Sequence, residues 1–296
     1  SGMLARDLRP YNYRCAFGSY PSWTSLVGNY TQRPNTVYRN AIMDEILGLE
    51  VVLPGGVVVR TGSAAFKGAG WHTAYGPLPY LAGIFLCAYG TLGVITKAAV
   101  RIYPRNEVQA LPIIGFDDYE TATKFCVRIS RANLVEHHII LHWMYLIFTG
   151  ILSPEIDLGA RVANALQKLP GDVLEVMPWR GCVAPKTIPY VVVTNHMSGL
   201  AEEVPARVQA IERVGKELAG KVLSLDEIGE RFPGTRDWWQ RSYLDHWPTT
   251  DIQRMRSVGG TPFTWGIHLP PSTMPEAEKR YMKRVADSGF GVAFYY

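Results

Sequence analysis

Between Tyr89 and Thr96 the chain reads Tyr-Gly-Thr-Leu-Gly-Val-Ile-Thr, two glycines three residues apart that lead into a β-branched run. No other stretch limits the fold as much. The β-branched half favours a strand, while Gly90 and Gly93 let the backbone turn sharply and lie close to whatever sits beside it. The everyday use of such a pair is a tight turn entering a strand. The other use is a strip of backbone N–H groups, clear of side chains, laid against the phosphates and ribose of a nucleotide-type cofactor.

The neighbouring motifs favour the second use. Upstream stand Ser19-Tyr20-Pro21-Ser22-Trp23-Thr24-Ser25-Leu26-Val27-Gly28-Asn29 and then Leu49-Glu50-Val51-Val52-Leu53-Pro54-Gly55-Gly56-Val57-Val58-Val59-Arg60-Thr61-Gly62, a strand, a Pro-Gly-Gly turn and a second strand. Tyr75-Gly76-Pro77 and Ala82-Gly83-Ile84-Phe85 follow. In this order the motifs resemble the flavin domain of the vanillyl-alcohol oxidase and p-cresol methylhydroxylase family of FAD-linked oxidases. The resemblance implies a flavoprotein oxidoreductase chain that passes a hydride from a hydroxylated substrate, phenols included, to FAD.

The resemblance covers nearly all of this chain but only the middle of the family's length. The glycine-rich loop that cradles the FAD pyrophosphate in such enzymes has no counterpart before Ser19, and the segment returning to the flavin domain would lie beyond Tyr296. The expectation is therefore FAD bound non-covalently, and three explanations of the missing loop stay open: a truncated gene, one subunit of a split enzyme whose other polypeptide carries the loop, or a homologue that has lost the cofactor; the exposed half-sheet invites a second polypeptide or self-association. A non-catalytic truncated homologue is the competing reading. A nicotinamide-dependent dehydrogenase is disfavoured, because no Gly-x-Gly-x-x-Gly turn joins a strand to a helix.

Composition narrows the partners. With 296 residues, 47% of them hydrophobic and 19% charged, the chain can bury a large core and form two domains. The net charge of +4 is scattered rather than gathered in a Lys/Arg stripe, which argues against nucleic acid. Cys15, Cys87, Cys126 and Cys182 lie far apart without metal-ligand spacing and read as buried free thiols of a reducing, cytoplasmic setting. The most apolar stretch, His138 to Leu152, is shorter than the roughly 20 residues a membrane span needs. Ser1-Gly2 ahead of Met3 reads as a cloning remnant, with no leader behind it.

Patterning predicts an α+β fold in two parts: residues 3–108 as the sheet-rich half of an FAD-binding, PCMH-type domain, and residues 109–296 as an incomplete substrate-binding cap. In the first part, strands are predicted at Glu50–Leu53, Val57–Arg60, Ile84–Ala88 and Val94–Tyr103, with a helix around Asn40–Leu47. The second part alternates strands and helices: a strand at Ala110–Gly115, a helix from Asp118 to Ala132 capped by Asp117, and a strand at Glu136–Phe148. A helix from Ser153-Pro154 to Leu169, a strand at Tyr190–Asn195, and a helix from Ala201 to Ala219 follow. Val204, Val208, Ile211, Val214 and Leu218 give that last helix its apolar stripe. Thr273-Met274-Pro275-Glu276 opens a final helix that Gly289 closes before a strand at Phe290–Tyr295. Connections this short imply one antiparallel sheet with helices on one face.

For the site, the resemblance nominates Pro21, Ser22, Ser25, Gly28 and Asn29, together with Gly90, Thr91, Leu92, Gly93, Val94 and Ile95, as the residues lining the flavin. The stretch around Gly259–His268 aligns with the strand that carries a covalent flavin link in some relatives, but Pro262 or Phe263 falls at that position. His268 remains able to face a pocket by strand alternation. The loop where phenol-oxidising relatives place an acidic base reads Val37-Tyr38-Arg39-Asn40-Ala41, leaving Tyr38 to polarise a substrate hydroxyl. His138, Ile140 and His142 share a strand face, the two histidines about 13 Å apart, too far for one metal. Trp238, Trp239 and Trp247 supply aromatic bulk for a core or an apolar pocket.

Overall fold

The computed structural model describes residues 2–15, 25–32, 36–37, 40–75, 79–146, 171, 186–245 and 269–288. The chain divides into two compact units, the first comprising Ser1–Arg105 and His246–Thr249, the second Asn106–Asp245 and Thr250–Tyr296.

In the first unit, helix α1 (Leu26–Gln32) precedes an antiparallel hairpin of β1 (Ile46–Val52) and β2 (Val58–Arg60). The Pro-Gly-Gly turn closes it as the sequence implies: Gly55 and Gly56 take φ of 90° and 85°, and the Leu53 N–H donates to Val57 O at 2.8 Å. A short helix α2 (Ala82–Phe85) leads to β3 (Val94–Val100), which pairs with the other edge of β1 through two register shifts. The central strand thus carries a β-strand on each side, and Ile46, Leu49 and Val51 are buried with Tyr30 and Ala82. Across the ladder, Glu50 faces Arg60 and Lys97, bonded at 3.0 Å and 3.1 Å. Those two cations hold its carboxyl below the ordinary carboxylate range, Lys97 first.

Two expectations fail here. The Asn40–Leu47 helix is instead a two-residue strand Asn40–Ala41, a 3₁₀ turn over Ile42–Glu45 and the start of β1, because Ile46 is taken up by pairing with Val100. The Ile84–Ala88 strand is instead α2 and a turn: Cys87 and Tyr89 adopt φ of 54° and 48°, which no strand tolerates, and the Cys87 N–H is taken by Thr31 O at 2.7 Å. Cys87 is also half-buried rather than buried, unlike Cys15 and Cys126, and Cys182 lies outside the described residues. β3 ends at Val100, and Tyr103–Pro104 pairs separately with Tyr13–Arg14.

The second unit is one antiparallel sheet. Strands β4 (Val108–Ala110), β5 (Ile113–Phe116), β6 (His137–His142), β7 (Val191–Gly199) and β8 (Lys221–Leu223) run in the order β6-β7-β5-β8, with β4 also on β7. Helices α3 (Tyr119–Arg131) and α4 (Glu203–Glu217) cover one face. Between them and the sheet lie Ile114, Phe116, Phe125, Ile129, Val193 and Ile211. The predicted stripe of α4 is the buried one: Val204, Ile211 and Val214 are buried and Val208 and Leu218 pack beside them. The cap of α3 is Asp118, not Asp117; its carboxylate accepts the Thr121 N–H at 2.7 Å.

The opposite face is also covered, by a segment the sequence reading left unassigned. After β8 come α5 (Leu225–Arg231), α6 (Pro233–Trp239) and a π turn over Gln240–Leu244. They place Ile228, Phe232, Trp238, Trp239 and Tyr243 against Ile113, Leu141 and Val192 of the sheet. The strand expected over Glu136–Phe148 is limited to β6, because residues 143–146 turn helical. A last helix α7 (Met274–Ser288) begins where predicted, though the Thr273 hydroxyl turns back to donate to Pro270 O at 2.9 Å. The helix expected over Ser153–Leu169 and the strand over Phe290–Tyr295 lie outside the described residues.

Candidate functional site

In the first unit a cavity of about 450 Å³ opens between α1, the turn after α2 and β3, lined by Ser25, Val27, Gly28, Thr31, Phe85, Ala88, Gly90, Gly93, Val94, Ile95 and Thr96. Among the described residues no charged side chain lines it. Six of the nominated flavin-lining residues, Ser25, Gly28, Gly90, Gly93, Val94 and Ile95, meet at this one space. Asn29 lies on α1, and Thr91 and Leu92 form the exposed turn into β3. Pro21, Ser22, Tyr38 and His268 lie outside the described residues.

Local chemistry fixes each wall. The Ser25 hydroxyl oxygen accepts the Gly28 N–H at 3.2 Å and so caps the first turn of α1. Thr31 ties its hydroxyl to Val27 O at 2.8 Å, and its own carbonyl accepts the Cys87 N–H. Thr91 donates both its N–H and its hydroxyl to Ala88 O, at 3.0 and 2.7 Å, which closes the turn below Gly90. Gly90 sits at φ 79° with open space where a side chain would be. Gly93 is the tighter requirement: a Cβ there would fall 2.8 Å from Val51 Cγ1 and 2.8 Å from Val52 O. Only glycine lets β3 start this close to β1. Val27, Thr31, Phe85, Ala88 and Thr96 were not nominated; Val27, Phe85 and Thr96 lie within the quoted motifs, whereas tertiary packing alone brings Thr31 and Ala88 to the cavity.

The face of the second unit's sheet under the π turn carries a different arrangement. Alternation and register put His137, Thr194, His196 and Ser198 on that face, His137 directly across from His196. The Tyr243 ring lies over both, its centroid 6.2 Å from that of His137 and 6.3 Å from that of His196. Trp238 is 6.0 Å from Tyr243 on the other side and 6.3 Å from Trp239. At the sheet end, Ser198 donates to Glu136 Oε1 at 2.9 Å and accepts from Asn106 Nδ2 at 2.6 Å, while His196 Nδ1 stands 3.6 Å from Glu136. Burial holds the His137 imidazole at about 4, with the adjacent His138 adding to the depression, and pushes the Tyr243 hydroxyl up.

Within this layer five buried polar atoms have no hydrogen-bond partner: Trp143 Nε1, Trp238 Nε1, Trp239 Nε1, Thr194 Oγ1 and Tyr243 Oη. The two hydroxyls lie near each other without closing a bond, and a small shift would pair them. Three indole N–H groups would still be left over. On the helix side, His142 and Tyr190 meet edge to face at 4.8 Å, and Tyr190 donates to Glu278 Oε1 at 2.8 Å. Among the described residues no group of three or more His, Cys, Asp or Glu side chains could hold a metal ion, and no helix is long and apolar enough to cross a membrane.

Comparison with known proteins follows the same lines. No family model matches the chain. D-lactate dehydrogenase (cytochrome) 1, mitochondrial, of Saccharomyces cerevisiae is 25% identical over 140 residues, 45% of this chain and 23% of that protein. Glycolate oxidase subunit GlcD of Bacillus subtilis is 28% identical over 92 residues, 31% of this chain and 18% of that protein. Among solved structures, 4-ethylphenol oxidase from Gulosibacter chungangensis, in complex with isoeugenol, matches with a TM-score of 0.71 and 14% identity, covering 99% of this chain and 58% of that one. p-Cresol methylhydroxylase with substrate bound matches with a TM-score of 0.65 and 18% identity, covering 86% of this chain and 48% of that one. The chain thus spans about half the length of these structures and matches less than a quarter of the curated relatives. The chain thus shares the fold of p-cresol methylhydroxylase and 4-ethylphenol oxidase.

Proposed function

We propose that the chain is the flavin-cradling and cap portion of an FAD-dependent oxidoreductase that takes a hydride from a hydroxylated small molecule. The convergence of Ser25, Gly28, Gly90, Gly93, Val94 and Ile95 on one neutral cavity carries this reading. Its size lies within the range of small-molecule sites. An uncharged lining suits the ring and sugar-alcohol part of a flavin, whereas a pyrophosphate calls for cationic groups or a nest of N–H donors. FAD held there, without a covalent link, supplies the hydride acceptor.

The chain's own residues bind and exclude. Gly93 brings the β3 backbone to the ligand, Val27, Phe85, Val94 and Ile95 keep water from its flat faces, and the bonded hydroxyls of Ser25 and Thr31 hold the walls in place. In this reading Asn29, Thr91 and Leu92 flank the cofactor, Pro21 and Ser22 are further candidates for its binding, and Tyr38 and His268 are candidates to act on the substrate hydroxyl.

A partner-dependent subunit of a split enzyme is the second reading, and one observation favours it. Ile84, Tyr89, Leu92 and Val94, beside the cavity, are 55%, 73%, 44% and 66% exposed, an apolar rim that invites a second polypeptide or a second copy. A cytoplasmic site of action rests on Cys15 and Cys126, buried thiols in no disulfide.

The test is the visible spectrum of the purified chain after incubation with FAD and gel filtration. Retained flavin bands, lost in Gly93→Val, support the cavity as a flavin site, and a Tyr38→Phe variant then reads substrate turnover. A chain that retains no flavin alone, but does so with a pyrophosphate-loop polypeptide added, establishes the split enzyme. Failure in both arms refutes the flavin reading.

A further inference from the structure

We propose that the open sheet edge beside β4 in the second unit is a docking slot for an extended segment of another protein, which adds a short strand in line with β8 and carries a basic residue between two apolar ones. The inference stands apart from the flavin reading and concerns the other unit of the chain.

The first argument is backbone. β8 pairs with β5 through Lys221 opposite Gly115 and Leu223 opposite Ile113, and goes no further. Ser224 is the reason: it caps α5 in the box it forms with Glu227, which turns the chain off the sheet after three strand residues. The strand beside it does not stop there. β5 and β4 lie on β7 in one unbroken register, from Phe116 opposite Val191 to Val108 opposite Gly199. The Asn195 N–H donates to Pro112 O at 3.0 Å, so by strand alternation Val108, Ala110, Pro112 and Ile114 turn their backbone groups toward β7, while Gln109, Leu111, Ile113 and Gly115 turn theirs the other way. Ile113 and Gly115 are met there by β8. Gln109 and Leu111 have no described strand opposite them on that side, and their N–H and C=O groups face outward in line with the end of β8. An edge of this kind is a template for one more strand.

The second argument is shape. A cleft of about 370 Å³ opens at this edge, with Ala110, Leu111 and Pro112 along its floor. Val208 and Glu212 of α4 stand on one side, Leu225 and Glu227 of α5 on the other. The cleft therefore lies between the two helical layers that cover the sheet, where a strand prolonging β8 would run.

The third argument is charge and order. Among the described residues Glu212 and Glu227 are the charged groups that line the cleft, and no lysine or arginine does. Arg207, on the same helix as Glu212, is engaged with Leu134 O, Ser198 O and Glu203. Glu227 already accepts the Ser224 N–H, which leaves Glu212 to select the guest. Side chains of a guest strand alternate as those of β4 do. Residues opposite Leu111 and Gln109 lie on the face of Leu111 and Leu225, and the residue opposite Ala110 lies on the α4 side. A lysine or arginine at that middle position lays its aliphatic stem on Val208 and its charged head on Glu212. The recognised pattern is apolar, basic, apolar.

The test uses the full chain with leucine labelled at the amide nitrogen. The probe is acetyl-Thr-Val-Lys-Val-Thr-amide, compared with the same peptide bearing glutamate in place of lysine and with a copy N-methylated at the first valine, which would pair with Leu111. The expected result is saturable binding of the lysine peptide, slower amide exchange at Leu111 in its presence, and no binding of the glutamate peptide. N-methylation of the peptide and Leu111→Pro in the chain each remove one edge hydrogen bond and should weaken binding about fivefold. Glu212→Gln should weaken it about threefold. The N-methylated peptide acts on the parent chain, so the answer does not depend on a variant that folds. The proposal is overturned if no peptide binds, if the glutamate or N-methylated peptide binds as tightly as the lysine peptide, or if Leu111 exchanges slowly before peptide is added and no slower after, because another part of this chain then covers the edge. Slowing of Leu111 exchange with protein concentration alone would overturn it too, by making a second copy the occupant.

Discussion

Lowering the pH from 7 to 5 should destabilise the second unit in good part through one side chain, His137. Its imidazole is held at about 4 in the fold, against 6.5 when free, mainly because it is buried beneath Tyr243. Since the folded value is the lower one, the unfolded chain takes up the proton first. Stability from this group is complete above pH 6.5, falls as pH drops toward 4, and falls no further below that. Integrating between the two values gives a loss of ~2 kcal/mol by pH 5 and ~3 kcal/mol by pH 4. The measurement is urea unfolding at pH 7 and pH 5, followed by tryptophan fluorescence, for the parent and for His137→Gln. At a slope of 1–3 kcal/mol per molar urea, the parent midpoint should drop by about 1 M and the variant's by much less. Glu50 and Glu120, both held below the ordinary carboxylate range by neighbouring cations, lose their contribution only at lower pH; His138, which burial also lowers, and Glu278, which burial raises, titrate alike in parent and variant, so the difference between the two proteins isolates His137. Parallel losses in parent and variant would refute the argument that the fold keeps His137 neutral.

Three further substitutions test separate parts of the structure. Gly93→Ala should cost about 1–3 kcal/mol, because its Cβ would meet Val51 Cγ1 and Val52 O at 2.8 Å, and thermal unfolding with unchanged stability would show that β3 can move away. Phe125→Ala removes a fully buried ring packed 5.1 Å from Phe116 between α3 and the sheet; chemical denaturation should register a loss of about 3–5 kcal/mol. Ser224→Ala opens the capping box of α5, in which the Ser224 oxygen accepts the Glu227 N–H at 3.0 Å and the Glu227 carboxylate accepts the Ser224 N–H at 2.7 Å. The expected cost is about 1 kcal/mol, and faster hydrogen exchange confined to the first turn of α5 would locate it.

Where local chemistry decides a segment, it was readable from the chain. The Pro-Gly-Gly hairpin needs left-handed residues at its turn and has glycines there; α4 repeats its apolar side chains at three and four and buries that stripe. The Ile84–Ala88 run was misread because five apolar residues carry no periodicity, and the turn at Cys87 is imposed by α1 through the Thr31 carbonyl. The π turn is of the same kind, since nothing in Gln240–Leu244 marks an extra residue. The layer beneath it was partly legible: Ser224-Leu225-Asp226-Glu227 is a capping-box pattern, and Phe232-Pro233 announces a helix start.

The two candidate sites differ in legibility for a physical reason. The cavity of the first unit depends on a left-handed turn at Gly90, φ 79°, and on a close approach at Gly93, demands that glycine meets best, so the two residues declare it in the sequence. The layer of the second unit depends on which side chains a register brings face to face. His137 and His196 are 59 positions apart in the numbering and become neighbours only because β6 and β7 pair as they do. A shift of one residue would turn His196 to the helix side and bring Asn195 and Met197 under Tyr243 instead.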